Sequence, residues 1–369
     1  MEKVKIGIVG CGNISAAYLR TAQTFEILDA VACADIDPTR AAARAAEFGI
    51  PRVYQTVDEL MADPEIQIVV NLTNPQAHTA VNLMAIAAGK HVYTEKPFAV
   101  TREEGARTLA AAAKAGLRVG CAPGTFLGGG LQTCRKLIDE GVIGQPVACT
   151  AFMMSPGHES WHPDPAYYYK LGAGPMFDMG PYYNTAMATM LGRIKRVTGA
   201  AGIQIPERTI TSQPKYGEKI TVETPDHVAG LLEFESGVIG TIITTFATWR
   251  AQLPRIEIYG TEGTLNVPDP NTLAGPVQLW TTATKEWADV PLTHGHTDGH
   301  NMWGIGVADM AHAIVSGRPH RATGEQGYHI LDVMQGYLDS AASGCRYDTV
   351  TSFTRPSPLP TDLPETALD

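Results

Sequence analysis

Lys96 stands where an apolar stretch of the chain meets a proline, a position from which a side chain can do chemistry. Val92, Tyr93 and Thr94 favour a buried strand, and Pro97 ends that strand because proline has no N–H for the ladder. In open parallel sheets, ligands bind in the crevice beyond the carboxyl ends of the strands. A lysine at a strand end is often only a solvated charge, but an ionisable group placed there is also suited to catalysis. We therefore predict that Lys96 is catalytic.

A carboxylate and a phenol form the second candidate pair. Asp178 and Tyr182 lie four residues apart in a stretch, Met176 to Leu191, whose pattern predicts one helix. Residues four apart share a helix face, so we expect both side chains to point to the same place.

A glycine turn follows the first apolar run of the chain. Gly10 suits a tight turn, Gly12 lets the backbone approach a pyrophosphate, and the helix predicted after the turn offers free N–H groups to an anion. Ser15 replaces the third glycine of this fingerprint. Asp35 closes the second apolar strand, where a carboxylate binds ribose hydroxyls, although a helix cap or a turn residue is the alternative. Together these features predict a dinucleotide site.

The turn after the third apolar strand belongs to the same predicted edge. Thr73, Asn74 and Pro75 can meet the nicotinamide ribose there, or form a turn without a ligand.

A loop after residue 154 is rich in rings. Flat side chains with hydrogen-bonding tips suit the apolar face and hydroxyl edge of a sugar. Surface packing or an oligomer contact is the alternative. The rings belong to His158, Trp161, His162, Tyr167, Tyr168 and Tyr169.

His294, His296 and His300 lie close together, but glycines separate them and no carboxylate motif of known metal geometry is near. We predict no metal site.

The elements that must hold these residues change character along the chain. Strands and helices alternate as far as a strand at 118–121, which predicts βαβ units, a parallel sheet and an α/β Rossmann domain over residues 1–122. Beyond it strands follow strands. Residues 123–369 are therefore expected to form an α+β substrate and oligomerisation domain with a mostly antiparallel open sheet.

Composition agrees with a folded protein of two domains. The chain has 369 residues, 44% of them hydrophobic and 18% charged. A net charge of −10 opposes binding to nucleic acid or to anionic lipid. The six cysteines form no C-x-x-C pair and fall mostly in apolar patterns, as reduced core thiols do. No stretch is long enough for a membrane span, so we expect a cytoplasmic protein that acts on small molecules.

The motifs occur in an order that resembles the Gfo/Idh/MocA family over nearly the whole chain. The residues that carry the resemblance are Gly10-Cys11-Gly12, Asp35, Asn74-Pro75-x-x-His78, Glu95-Lys96-Pro97, the 172–180 segment and Gly260-Thr261-Glu262-Gly263-Thr264. The family includes glucose–fructose oxidoreductase and inositol dehydrogenases. The resemblance implies a nicotinamide cofactor, a catalytic lysine at Lys96, and a sugar, cyclitol or related substrate.

One departure concerns the base. Many members have Asp-x-x-x-His where this chain has Asp178 and Tyr182. Glucose–fructose oxidoreductase resembles this chain in having a tyrosine at that position. Hydride leaves a carbinol carbon while a base takes the hydroxyl proton. Tyr182 can act near neutral pH only if an ammonium such as Lys96 lowers its pKa from about 10. Asp178 would hold Lys96 and the substrate hydroxyl, and Tyr183 or His162 could share the proton transfer.

These arguments predict a complete site. The catalytic residues are Lys96, Asp178 and Tyr182. The substrate-binding residues are Lys96, Trp161, His162, Tyr167, Asp178, Tyr182 and Tyr183. The cofactor-binding residues are Gly10, Gly12, Asn13, Ile14, Asp35, Ile36, Arg40, Thr73, Asn74, Pro75, His78, Glu95 and Lys96. Asp35 favours NAD over NADP because a carboxylate repels a 2′-phosphate, although Arg40 could reach such a phosphate.

The expected activity is hydride transfer between NAD and a carbinol of a sugar, glycoside or cyclitol. Two alternatives are a glycosidase-like or eliminating enzyme that oxidises the sugar transiently, and a dinucleotide-binding regulator without catalysis. We expect a homodimer or homotetramer formed through the C-terminal sheet.

Overall fold

The computed structural model describes residues 3–369. Its N-terminal part is a parallel sheet of six strands flanked by helices, which confirms the predicted Rossmann architecture. The strands are β1 Val4–Val9, β2 Leu28–Ala34, β3 Arg52–Tyr54, β4 Ile68–Asn71, β5 His91–Thr94 and β6 Val119–Cys121. The helices are α1 Ser15–Thr24, α2 Pro38–Phe48, α3 Val57–Ala62, α4 Pro75–Ala87 and α5 Arg102–Ala115.

In the strand order β3-β2-β1-β4-β5-β6, the chain first adds strands on one side of β1 and then, from β4 on, adds them on the other side. The order therefore switches between β1 and β4, although all six strands are parallel. Val9 pairs with Ala34 on one side and with Asn71 on the other, and Asn71 pairs with Thr94. The carboxyl ends of four strands are therefore level. The polar residues that follow them meet at one edge, beside the crevice where such sheets bind ligands.

The C-terminal part is built on a nine-stranded sheet in the order β16-β15-β14-β13-β7-β12-β11-β8-β17, and β9 and β10 form a separate pair. Only the β7–β12 pairing is parallel, so the predicted mostly antiparallel sheet is confirmed. The strands are β7 Pro146–Met154, β8 Ile194–Gly202, β9 Glu207–Thr209, β10 Lys219–Thr221, β11 His227–Phe234, β12 Ile239–Thr245, β13 Ile256–Gly260, β14 Gly263–Val267, β15 Val277–Thr281, β16 Trp287–Val290 and β17 Tyr347–Asp348.

Helices cover one face of this sheet. They are α6 Gly129–Asp139, α7 Pro175–Asp178, α8 Gly180–Leu191 and α10 Gly324–Ser343, whereas α9 Ile305–Ser316 packs against α1 and β6 of the N-terminal part. Tyr337 of α10 packs so closely on Gly199 and Gly230 that a Cβ atom at either glycine would lie 2.2 or 2.4 Å from it. On the opposite face Ile239 and Leu231 are 58% and 50% exposed. One face of the sheet is therefore core and the other is surface.

The last helix also reaches the first sheet. Cys121 donates its N–H to the carbonyl of Ala322 at 3.1 Å, just before α10 begins. Arg102 of α5 donates to Asp332 of α10 at 2.6 Å. The C-terminal segment thus closes one edge of the Rossmann sheet and joins the two parts.

The prediction of one helix over Met176 to Leu191 was wrong. The chain forms the four-residue α7, breaks at Met179 and starts again as α8. Pro181 lies in the first turn of α8, where its missing N–H costs no hydrogen bond, and this position suits a new helix start. The break is the single residue Met179, which keeps right-handed helical backbone angles. Asp178 and Tyr182 therefore still meet at Lys96, as expected from their spacing. The short strands β3, β9, β10, β16 and β17 were not predicted.

No helix among residues 3–369 is both long enough and apolar enough to cross a membrane.

Candidate active site

Lys96 lies at the carboxyl edge of β5, as predicted, and its ammonium group binds Asp178. Nζ donates to the carboxylate Oδ1 at 2.9 Å and to the carbonyl oxygen at 2.8 Å. The two side chains are 17% and 14% exposed. The carbonyl oxygen and Oδ1 of Asp178, at the end of α7, both accept from Lys96. The lysine therefore joins the two parts of the protein at this point.

The pair is charged at neutral pH. Burial acts to lower the pKa of Lys96, but the charges of Asp178 and Glu95 and the hydrogen bond to Asp178 together outweigh it and raise that pKa well above the ordinary value. Burial acts to raise the pKa of Asp178, but Lys96 and His158 outweigh it and lower that pKa to about 2. Lys96 is therefore a proton donor in hydrogen bonds and not a base.

Tyr182 lies beside this pair. Its ring centroid is 5.3 Å from Lys96 Nζ, and the side chain is buried. Burial raises the pKa of Tyr182, and the charge of Lys96, already paired with Asp178, does not offset this rise. The expected lowering of this pKa is therefore wrong. The phenol stays protonated at neutral pH, so its O–H group can donate a hydrogen bond to a ligand.

His158 is the site residue that sequence reasoning did not select. Its Nε2 lies 3.3 Å from Asp178 Oδ2. The imidazole ring stacks on the Tyr168 ring with 3.7 Å between the ring centroids, and it packs edge-on with Phe246 at a centroid distance of 4.7 Å. The only sequence signal was its place in the ring-rich loop, because no spacing links it to Asp178.

The predicted ring-rich loop divides into an anchored and an open part. Tyr169 is buried and donates its hydroxyl to Glu159 at 2.8 Å, and Arg208 donates to the other oxygen of Glu159 at 2.8 Å. Trp161 and Tyr167 are 62% and 51% exposed. Buried charge-assisted bonds thus fix one end of the loop and leave its outer rings at the surface.

A cleft of about 540 Å³, open to solvent, lies beside the loop. Of the predicted substrate-binding residues, Trp161 and Tyr183 line it. His162 and Tyr167 pack with Tyr168 outside this lining, and Lys96, Asp178 and Tyr182 do not line it either. The hydroxyl of Tyr183 is buried and has no protein partner among residues 3–369. The remaining lining residues are Met153, Met154, Ser155, Gly157, His158, Met179, Arg255 and Asp269.

The glycine turn has room for a pyrophosphate. Gly10 has φ of +93°, and a Cβ there would lie 2.7 Å from the backbone of Leu72. A Cβ at Gly12 would meet nothing within 4 Å. No side chain among residues 3–369 caps the start of α1 at Ile14, next to Asn13. The N–H groups of Ser15 and Ala17 donate to the carbonyls of Gly12 and Ile14 at 3.2 and 3.0 Å, so the uncapped turn can offer its other N–H groups to an anion. These residues fit a dinucleotide.

Asp35 lies under this turn at the end of β2. Its Oδ2 accepts from the N–H of Cys11 at 2.6 Å, and its Oδ1 accepts from the N–H of Asp37 at 2.8 Å. A carboxylate has further lone pairs, so it can still accept from ribose hydroxyls. The next side chain, Ile36, is fully exposed at the mouth of the turn.

Two arginines of α2 differ in position. Arg40 is exposed and lies 3.4 Å from Asp37 Oδ2. Arg44, which sequence reasoning missed, donates to Ser15 Oγ at 3.0 Å and to the Gly12 carbonyl at 3.3 Å. Arg44 therefore brings positive charge to the glycine turn.

The remaining predicted cofactor residues are mostly engaged with the protein. Asn74 accepts from the N–H of Ala77 at 3.2 Å and caps α4, which Pro75 begins. His78 is buried, and its two ring nitrogens lie 2.9 and 3.0 Å from the carbonyls of Pro97 and Thr73. Its ring fixes these two turns and has no free nitrogen for a ligand.

Glu95 is likewise occupied. It is buried, and it accepts from the hydroxyl of Tyr18 at 2.7 Å and from the N–H of Lys96 at 2.9 Å. Its carboxylate therefore holds the backbone that carries the lysine.

The histidines considered for a metal bind the backbone. His294 Nε2 lies 3.0 Å from the carbonyl of Leu359, and His296 Nε2 lies 2.7 Å from that of Ala367. Both rings hold the C-terminal tail.

Comparison with known proteins identifies the family. Residues 4–122 match the oxidoreductase family model with an NAD-binding Rossmann fold, and residues 131–266 match the GFO/IDH/MocA C-terminal domain. The chain belongs to the GFO/IDH/MocA family. It is an oxidoreductase, as the resemblance implied.

Relatives in this family align along most of the chain. A 1,5-anhydro-D-fructose reductase of Ensifer adhaerens is 28% identical over 343 residues, which cover 92% of this chain and 96% of that protein. A levoglucosan dehydrogenase of Pseudarthrobacter phenanthrenivorans is 24% identical over 382 residues, with 93% and 97% covered.

Solved structures share the fold. An NAD-binding oxidoreductase from Klebsiella pneumoniae has a TM-score of 0.83 at 24% identity, with 95% of this chain and 100% of that chain covered. Levoglucosan dehydrogenase in complex with NADH and levoglucosan has a TM-score of 0.80 at 21% identity, with 94% and 99% covered.

Proposed function

We propose that this protein transfers hydride between NAD and a carbinol of a sugar, glycoside or cyclitol. The observation that carries the proposal is the charged Lys96–Asp178 pair at the same sheet edge as the open glycine turn. NAD bound at this turn would supply the hydride acceptor, or as NADH the donor. A fixed ammonium next to the reacting carbon is what such a reaction needs, since negative charge develops on the substrate oxygen.

The roles of the residues follow from their charges. Lys96 donates a hydrogen bond to the substrate oxygen and stabilises it as its proton leaves. Asp178 keeps Lys96 protonated and in place. Tyr182, as a neutral phenol, donates to the same oxygen or to a neighbouring hydroxyl.

The cleft wall supplies recognition. Trp161 offers a flat apolar face, and the unpaired hydroxyl of Tyr183 offers a polar tip. This combination suits a sugar ring.

A substrate panel tests the proposal. NAD reduction by levoglucosan, D-xylose and myo-inositol, and NADH oxidation by 1,5-anhydro-D-fructose, are followed by absorbance. We expect net turnover with at least one of them, because the two relatives named above, a D-xylose dehydrogenase of Paenarthrobacter nicotinovorans and a myo-inositol 2-dehydrogenase of Thermotoga maritima are named for these compounds. Failure of all four with both NAD(H) and NADP(H) would overturn the proposal.

We predict a preference for NAD(H) over NADP(H) of about tenfold or more in kcat/KM. Asp35 repels a 2′-phosphate, Arg40 is paired with Asp37, and Arg44 is held at the turn. Steady-state rates with both cofactors measure the preference.

The matched variants are Asp35→Ser and Asp37→Ser. Asp35→Ser should lower the ratio of kcat/KM with NAD(H) to that with NADP(H). Asp37→Ser, which removes an exposed carboxylate two residues away, should leave this ratio unchanged. Equal or better efficiency of the wild type with NADP(H) would contradict the prediction.

We predict that Trp161→Ala lowers kcat/KM by an amount equivalent to roughly 1 to 3 kcal/mol. Trp161 lines the cleft but is 62% exposed, so Tm and NADH affinity should change little. Trp249→Ala is the matched control, since Trp249 is 88% exposed and does not line the cleft. If Trp161→Ala instead changes the mass in solution and keeps the kinetics, the residue is an oligomer contact.

We further propose a homodimer or homotetramer formed through the uncovered face of the nine-stranded sheet. A second copy is the expected occupant, because the exposed Ile239 and Leu231 lie on a sheet face that a symmetric partner could cover. Light scattering of the purified protein measures the mass, and a monomer would refute this. Five buried free thiols support a reducing compartment, the cytoplasm.

A further inference from the structure

His158 is held firmly on the sides away from Asp178. Tyr168 covers one face of the ring, Phe246 meets its edge, and Trp161 lies 5.2 Å away. Its backbone N–H donates to the hydroxyl of Tyr169 at 3.2 Å. Because Arg208 and Glu159 anchor the same segment, the imidazole is preorganised toward Asp178.

Only one nitrogen of this ring can exchange a proton. Nδ1 is fully buried and has no partner among residues 3–369. The side chain of His158 is 10% exposed, and Nδ1 contributes none of the exposed area. Nε2 lies 3.3 Å from Asp178 Oδ2 without an aligned hydrogen bond to it, so its in-plane position is not taken by the carboxylate. Since His158 lines the cleft, Nε2 is the nitrogen that can exchange a proton with a substrate.

Asp178 connects His158 to Lys96. Its Oδ1 binds Lys96 Nζ and its Oδ2 faces His158 Nε2. A carboxylate in this position stabilises an imidazolium when one forms. Before the transfer, the neutral imidazole and the Lys96–Asp178 pair together carry no net charge. When a proton moves from the substrate to the ring, negative charge develops on the substrate oxygen, next to the Lys96 ammonium.

The other candidates fit the proton transfer less well. Tyr182 is buried, and its raised pKa keeps the phenol protonated. His162 uses Nδ1 to accept from the N–H of Asp164 at 3.0 Å. Its ring packs against Tyr168 and does not line the cleft. Imidazole is the side chain that ordinarily titrates near neutral pH, which suits a general base.

We propose that His158 is the general acid–base residue of this enzyme and that Tyr182 is a hydrogen-bond donor, an inference that rests on the proposed function. In oxidation the carbinol C–H bond breaks as hydride leaves for the cofactor. The O–H bond breaks as its proton passes to Nε2, and the C=O bond forms. In reduction each transfer is reversed.

Other ionisable groups near the ring are accounted for. Asp178 faces Nε2, with Lys96 behind it. Tyr168 stacks on the ring, and Tyr169 binds its backbone. His162 lies on the same loop, the Glu159–Arg208 pair lies behind it, and Arg255 and Asp269 line the cleft.

His158→Gln tests the assignment, because glutamine keeps a polar contact to Asp178 but cannot take a proton. The rate of sugar oxidation by wild type is measured against pH with the panel compound that gives the highest turnover. We expect kcat to rise with pH through one ionisation. In His158→Gln we expect kcat to fall by about 100-fold or more and to lose that ionisation. NADH affinity and Tm should change little.

Tyr182→Phe and His162→Gln are the comparison variants. We expect both to retain the ionisation in kcat, although Tyr182→Phe, which removes a donor to the substrate, lowers the value of kcat itself. Retention of the ionisation by His158→Gln, or its loss in Tyr182→Phe, would overturn the assignment. Should His158→Gln lose NADH affinity or Tm, His158→Asn is measured in its place by the same criteria. If wild type itself turns over no panel compound, the proposed function fails, and this inference fails with it.

Discussion

Lys96→Met is expected to abolish turnover while the protein still binds NADH. Methionine keeps the length of the side chain and removes only the charge and the donors that the substrate oxygen requires. Removing one such donor typically costs about 100-fold or more, or ~2.7 kcal/mol. NADH fluorescence measures binding and steady-state rates measure turnover.

Lys90→Met is the matched control, because Lys90 is also a buried lysine and lies next to the opposite end of β5. Its Nζ donates to the carbonyls of Asp63 and Ile66 at 2.6 and 3.0 Å. This variant should lose stability and keep kcat. A Lys96→Met enzyme that retained more than about a tenth of the wild-type rate would place the barrier change under ~1.4 kcal/mol and contradict a catalytic role.

The level edge of the first sheet could be predicted from sequence because each step is local. Apolar runs, the glycine turn and Pro97 each mark a strand end within a few residues. Parallel pairing then brings the ends together without further information. For this reason Gly10, Asp35 and Lys96 were placed correctly before any contact was known.

The contacts of Asp178 could not be predicted in the same way. The break at Met179 has a local signal in Pro181, but a periodic pattern of apolar residues continues through it and predicts one helix. His158 reaches Asp178 across a loop whose path is fixed by Arg208, fifty residues further along the chain. Arg44 bonds to the turn from the middle of α2. Such tertiary contacts have no spacing rule in the sequence.

Asp178→Asn is expected to lower kcat by roughly 100-fold to 1,000-fold while NADH affinity stays near the wild-type value. Asparagine has nearly the same shape, so the change removes one negative charge. That charge holds the Lys96 ammonium at 2.9 Å and faces His158 Nε2 at 3.3 Å. Both groups lose their counter-ion at once, so the effect should be among the largest of any single substitution at the site.

The pH dependence of the remaining activity gives the sharper result. In the wild type, the charges of Asp178 and Glu95 and the hydrogen bond to Asp178 together outweigh burial and raise the pKa of Lys96, so the ammonium persists through the alkaline range. Without that charge, burial has more influence and lowers the pKa of Lys96. Catalysis needs the protonated lysine, so kcat/KM of Asp178→Asn should decline as pH rises, over a range in which wild type shows no such decline.

Asp269→Asn is the matched control for this profile. Asp269 lines the same cleft and lies 3.4 Å from Arg255, so the variant makes the same change of charge away from Lys96. We expect its alkaline profile to follow that of the wild type, whatever its KM. An Asp178→Asn enzyme with the wild-type alkaline profile would show that Asp178 does not keep Lys96 protonated. The lysine would then owe its charge to Glu95, the other carboxylate that raises its pKa.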